Sequence, residues 1–190
     1  MVKAGLTGGI ASGKTQAAKL FEKAGATIVD ADILSRRCME LPEVQEALRE
    51  LFPQAFAGGA LDRRILRQIV FSDEAQLKKL NAVTHPPIRL AAAEALEQSR
   101  APVTILVAPL LFEAGLCDLV HPIVTVTCRE AVRIARLMQR DTISEALARR
   151  MIAAQMGDAE RIKRADAVIE NEGSLGELAD KVQRLYREWI

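Results

Sequence analysis

Between a short apolar run and a helical pattern, the chain reads Gly8-Gly9-Ile10-Ala11-Ser12-Gly13-Lys14-Thr15, which fits G-x-x-x-x-G-K-[ST] at every position. No other feature narrows the possible folds so far. Glycines admit backbone conformations closed to residues with a Cβ, so successive N–H groups can point into one concavity. At the positive end of the following helix, that concavity suits the β-phosphate of a nucleotide. Lys14 is placed to neutralise the β and γ oxygens, and the Thr15 hydroxyl to hold Mg²⁺. Gly8, Gly9, Ile10, Ala11, Ser12, Gly13, Lys14, Thr15 and the adjoining Gln16 are therefore the expected nucleotide-binding positions.

The flanking pattern supplies the context this loop needs. Val2 to Thr7 reads as a buried strand, Lys14 to about Ala24 as a helix stopped by Gly25, and Thr27 to Val29 as a strand ending at Asp30. Such a βαβ unit implies a parallel sheet covered by helices. Val103 to Val107 and Ile123 to Thr127 read as buried parallel strands. Ala167 to Ile169 is a last short strand before an amphipathic terminal helix. Residues 31 to 100 are helical in pattern, with breaks expected at Pro42, Phe52-Pro53, Gly58-Gly59 and Pro86-Pro87. The expectation is one three-layer α/β domain of the P-loop NTPase type with a central five-stranded parallel sheet. A helical substrate-binding subdomain would span about 33–100, and an arginine-bearing lid about 129–160. At 190 residues the chain has room for one ordinary domain.

Charge and cysteine usage exclude some partners. Twenty-six basic and 25 acidic residues leave a formal charge of +1, without the basic excess expected of a protein that holds duplex nucleic acid. Cys38, Cys117 and Cys128 form no C-x-x-C pair, which argues against a zinc site or a disulfide framework. No apolar stretch approaches the roughly 18 to 20 residues that cross a bilayer, and the glycine-rich start is unlike a signal peptide. A cytoplasmic protein with no nucleic-acid or membrane partner is expected; oligomeric state is not legible.

The loop alone admits GTPases, motor ATPases and small-molecule kinases. A GTPase would carry D-x-x-G and N-K-x-D, and neither occurs. A translocating ATPase would end an apolar strand in Asp or Asp-Glu, whereas Val103 to Val107 runs into Ala108-Pro109-Leu110-Leu111-Phe112-Glu113. A kinase for a hydroxyl needs a carboxylate to orient the acceptor and take its proton. Asp30 and Asp32 follow the second strand at its carboxyl end, where open α/β sheets bind ligands; one of them could also cap a helix over Ile33 to Cys38. A kinase must also exclude water. Arg129, Arg133, Arg136, Arg140, Arg149 and Arg150, with Glu130 and Asp141 as the nearby acids, suit a phosphate-binding lid; a solvated basic face is the plainer alternative.

Taken together, these residues resemble the dephospho-coenzyme A kinase family over nearly the whole chain. The resemblance rests on Gly5-Leu6-Thr7-Gly8-Gly9-Ile10 with Ser12-Gly13-Lys14-Thr15, on Asp30-Ala31-Asp32, on Leu61-Asp62-Arg63 with Val70-Phe71, and on His85-Pro86-Pro87-Ile88-Arg89. It continues through Pro109 to Glu113, Arg136, Arg140-Asp141, Arg150 to Gln155, and Ala165-Asp166 with Val168-Ile169, Asn171 and Gly173. It implies transfer of the ATP γ-phosphoryl group, with Mg²⁺, to the ribose 3′-hydroxyl of dephospho-coenzyme A. On that reading Asp32 is the base, with Lys14 and Arg140 also catalytic. Asp30, His85, Arg89, Phe112, Glu113 and Arg136 are the expected substrate-binding residues, Phe112 being nearly as readily a core residue. Arg133, Glu170 and Ala11 depart from the usual glutamine, aspartate and glycine. The alternatives are another nucleoside or nucleotide kinase of similar layout, separable by a substrate panel, and an ATP-dependent regulator without turnover.

Overall fold

The alternation of apolar runs and helical segments folds into a parallel sheet. In the computed structural model, which describes residues 1–190 apart from the side chains of Phe71 and Ser72, five strands lie in the order β2-β3-β1-β4-β5. They are β1 (Val2–Gly8), β2 (Thr27–Asp30), β3 (Val103–Val107), β4 (Ile123–Thr127) and β5 (Ala167–Glu170), and every pairing is parallel. All residues of β3 and β4 are buried, as strands covered on both faces require. Strand β1 is central, with β3 on one side and β4 on the other. Successive connections leave it in opposite directions, so its carboxyl end is the switch point at which such sheets bind ligands.

Around the sheet, helix α1 (Lys14–Ala24) and the carboxyl-terminal helix share one core with β1, β3, β4 and β5. The Phe21 and Trp189 rings stack at 5.4 Å and 7°, tying the two helices together. The segment expected to form a lid is three helices, α6 (Glu130–Asp141), α7 (Glu145–Ala153) and α8 (Asp158–Arg164). Ile134, Leu137 and Ala148 are its buried centre, and Ile10 and Ala11 of the glycine loop pack against them. The loop is therefore braced by apolar contact before any polar bond is considered.

Residues Ala31–Ala95 make a second compact unit. Helices α2 (Ala31–Cys38), α3 (Pro42–Leu51) and α4 (Arg63–Ser72) and most of α5 (Glu74–Gln98) belong to it. Val44, Leu48, Phe52, Phe56, Leu66 and Val70 form its core, and Phe71, named in the resemblance, has its side chain outside the described part. Asp62 caps α4, its Oδ1 accepting the N–H of Arg64 at 2.8 Å and of Ile65 at 3.1 Å.

Two expectations fail here. The break foreseen at Pro86-Pro87 is absent, because α5 runs through both prolines. Each proline removes the donor for the carbonyl four residues back, on Ala82 and Val83, and crowds that carbonyl with its ring. Packing sustains the helix past them, with Ile88, Ala92 and Leu96 all buried at one-turn spacing. Helix α2 also begins at Ala31 rather than Ile33, so Asp32 lies inside the first turn, where the helix dipole favours a carboxylate.

Candidate active site

The phosphate loop leaves β1 at Gly8 and enters α1 at Lys14. Its shape is enforced from outside. Arg133 Nε donates to the Ile10 carbonyl at 2.9 Å, Arg136 Nη1 to the Ala11 carbonyl at 3.3 Å, and Asn171 Nδ2 to the Ser12 carbonyl at 2.8 Å. None of these peptides is cis, and in a trans peptide the N–H points opposite to the C=O. Holding these carbonyls outward therefore turns the N–H groups of Ala11 and Gly13 to the other side, while Ser12 N–H reaches Gly9 O at 3.2 Å. The first amides of α1 follow directly, at the positive end of that helix. The result is a row of donors at a helix N-terminus, which is an anion site.

The glycines are explained by what stands behind them. A Cβ on Gly13 would lie 1.8 Å from Asn171 Nδ2, and the residue has φ +101°. A Cβ on Gly9 would lie 2.5 Å from Arg133 Nη2. Ala11 also sits at positive φ, +60°, a conformation that costs a residue with a Cβ about 1–2 kcal/mol.

The arginine run does not await ligand with few partners, as its local acids suggested. Carboxylates arrive from beyond the run and from Glu145 within it. Arg129 pairs with Glu172 at 2.6 Å, Arg133 with Asp158 at 2.8 Å, and Arg149 with Glu145 at 2.7 Å and Glu130 at 3.0 Å. Arg140 clasps Asp141 through both Nε and Nη2, each at 2.7 Å. That pairing holds the Asp141 carboxyl below its usual range and raises the Arg140 guanidinium. Arg136, expected against the acceptor, is committed to the loop: its guanidinium also donates to Ser12 O at 3.4 Å and Asn171 O at 3.2 Å. Shared helix face did not mean shared role. Arg133 is buried, while Arg129 and Arg140 are exposed.

Among the residues expected to serve the acceptor, Asp30 ends β2 opposite Val107, and Asp32 follows two residues later in the chain, exposed. Phe112 is buried, and the Arg164 guanidinium lies 4.3 Å from its ring centroid; the aromatic face is already covered, which favours the core role. The Glu113 side chain is 30% exposed and lies 3.4 Å from Arg161 Nη2. His85 and Arg89 stand one turn apart on α5, both half-buried. Burial pushes the His85 imidazole below its ordinary value, so it is neutral near pH 7 and offers a hydrogen bond rather than a charge.

That shift has a checkable sign. The unfolded state takes a proton at about pH 6.5, and the folded state only at lower pH, so acid favours unfolding. The contribution is present above about pH 6.5 and lost as pH falls through the folded value. Denaturant melts should show wild type losing more stability than His85→Gln between pH 7 and pH 5.

Sequence reasoning overlooked a buried charge cluster. Arg161 has no exposed surface. It donates to Met156 O at 2.6 Å and to Glu113, and lies 3.6 Å from Asp158 Oδ1. Asp158 thus serves Arg133 and Arg161 together, and two arginines face two carboxylates. Balance matters, because an unpaired buried charge costs several kcal/mol. The available signal was the Asp158–Arg161 spacing of three on one short helix, indistinguishable in sequence from an ordinary surface pair.

The donor set suits Mg²⁺ bound mainly through a nucleotide. Thr15 places a hydroxyl in the exposed first turn of α1, and among the described residues no cluster of three or more His, Cys, Asp or Glu forms a cage. Mg²⁺ keeps waters and takes one or two protein ligands plus substrate phosphates, rather than a dedicated all-protein cage.

Comparison with known proteins agrees with this architecture. The dephospho-CoA kinase family model matches residues 2–177. A dephospho-CoA kinase of Xanthomonas campestris pv. campestris is 43% identical over 187 residues, covering 95% of this chain and 90% of the relative. One from Acinetobacter baylyi is 40% identical over 192 residues, covering 98% and 97%. A crystal structure from Thermus thermophilus superposes with a TM-score of 0.88 at 39% identity, covering 98% of this chain and 97% of that one. With the family model matched over residues 2–177 and relatives 40% or more identical over nearly the full length, the chain belongs to the dephospho-CoA kinase family.

Proposed function

We propose that the chain transfers the γ-phosphoryl group of ATP to the ribose 3′-hydroxyl of dephospho-coenzyme A, giving coenzyme A and ADP. The observation that carries this reading is the phosphate loop itself, whose carbonyls are bonded to side chains outside it so that the N–H groups of Ala11 and Gly13 turn to the other side. Family membership supplies the acceptor. Lys14 and the loop amides would neutralise charge on the phosphates, and the Thr15 hydroxyl would hold Mg²⁺, which would supply further charge neutralisation there. Asp32 accepts the proton of the attacking hydroxyl. The family resemblance assigns acceptor binding to Asp30, His85, Arg89 and Glu113, while Phe112, buried with Arg164 over its ring, serves the core.

Arg140 closes on the transferring group. To do so it must leave Asp141, and this is cheap: the pair is partly exposed, and solvent screens much of its attraction. A triphosphate offers a denser anion, so the exchange runs toward the substrate. A cytoplasmic location fits three free cysteines. Among the described residues no helix is long and apolar enough to cross a membrane.

The test is ADP release from ATP and Mg²⁺ with and without dephospho-coenzyme A. Release at least tenfold faster with the acceptor is expected. Equal rates, with ATP bound and the protein folded, would refute the assignment.

A further inference from the structure

The peptides on either side of Ile10 are gripped from opposite ends. Ile10 N–H donates to Gln155 Oε1 at 2.7 Å, and Ile10 C=O accepts from Arg133 Nε at 2.9 Å. Gln155 lies between α7 and α8, 145 positions along the chain. Because the Gly9–Ile10 peptide is trans, fixing its N–H on Gln155 sends the Gly9 carbonyl the other way. There that carbonyl accepts Ser12 N–H at 3.2 Å and closes the turn that opens the phosphate nest. Arg133 fixes the next peptide and so aims the Ala11 N–H. Arg133 is in turn fixed by Asp158, the first residue of α8. Both grips thus come from the segment that joins α6 to α8.

The loop needs such a hold. Ala11 occupies φ +60°, which a residue with a Cβ leaves readily if nothing prevents it. The amide bonded to Gln155 is also the one the nest cannot use, since it faces α7–α8 rather than the concavity. A glutamine side chain is neutral, so it can hold this N–H without placing a carboxylate near phosphate. The identity of the accepting atom is secure on chemical grounds, because a side-chain NH₂ cannot accept from an amide N–H.

We propose that Gln155 is a positioning residue for ATP: through Ile10 N–H it fixes the phosphate loop in its anion-binding shape before the nucleotide arrives. It touches no reacting atom. The inference rests on the nucleotide-binding reading of the loop and deepens it. Three consequences separate it from a role in folding alone. Gln155→Leu, close in size but without an acceptor, should raise the KM for ATP about tenfold, the effect of one lost hydrogen bond to an ordered site. The KM for dephospho-coenzyme A should change less than twofold, and the melting temperature without ligand should stay within about 2 °C of wild type. Adding Ala11→Gly should restore most of the ATP affinity, because glycine holds positive φ without the external grip.

The experiment is steady-state kinetics on wild type, Gln155→Leu, Ala11→Gly and the double variant, with thermal melts in the presence and absence of ATP. A selective rise in the ATP KM, reversed in the double variant, supports the proposal. An unchanged ATP KM overturns it, and so does a parallel rise in both KM values with a fall in the ligand-free melting temperature. Failure of wild type itself to bind ATP would overturn the nucleotide reading along with it, and the wild-type melt with ATP tells the two apart.

Discussion

Asp32→Asn is expected to lower kcat by about 10²–10⁴-fold while changing the KM for ATP little, because a general base acts on the transition state and not on nucleotide binding. The substitution keeps size and hydrogen-bonding shape and removes only the capacity to take a proton. Asp32 lies in the first turn of α2, is exposed, and follows by two residues the strand end at Asp30. Its place in the first turn of α2 sets it near the positive end of that helix, which suits a carboxylate. The helix itself should survive, since asparagine is tolerated in a first turn. Single-turnover quenching would separate the chemical step from product release. A kcat within threefold of wild type would remove Asp32 from the mechanism. Asp30→Asn makes the comparison informative: a residue that orients the acceptor should raise the KM for dephospho-coenzyme A more than it lowers kcat.

Legibility followed the range of the interactions. Strands and the glycine loop were visible because their signals are local. β3 and β4 are unbroken runs with every residue buried, and Gly13 at φ +101° writes a backbone requirement directly into residue type. The departure at Ala11 was also visible, though only the structure attaches a positive φ to it. What stayed hidden was pairing across distance. Arg133 and Arg136 sit among the other arginines of α6 in sequence, yet one is buried against Asp158 and Ile10 O, and the other is committed to loop carbonyls. Nothing within four residues of either announces that partner. Arg161 was missed for the same reason, and Gln155, named within the lid resemblance, was given no partner; theirs lie 48 and 145 positions away. The proline break in α5 failed differently. A local rule was outweighed by burial of Ile88, Ala92 and Leu96, an instance of tertiary packing overriding propensity.

The structure also sharpens what to expect of the loop lysine. Lys14→Ala should lower kcat about 10²–10³-fold, comparable to removing a principal electrostatic donor from a transition state, and should weaken ATP binding less than it weakens turnover. The reason lies in the division of labour around the loop. Amide direction is set by Arg133, Arg136 and Asn171 acting on carbonyls, and Lys14 carries none of these bonds. An alanine at the start of α1 keeps the helix, so the nest survives and still holds phosphate through backbone dipoles. What should disappear is the ammonium charge that the proposed mechanism sets against the β and γ oxygens. Lys14→Arg should not restore activity, because a broad planar guanidinium cannot occupy the point position of an ammonium. Titration with ATP followed by thermal shift, set beside kcat, checks the split. If ATP affinity and turnover fall by the same factor, the loop shape depends on Lys14, and the outward carbonyl bonds are not sufficient to build the nest.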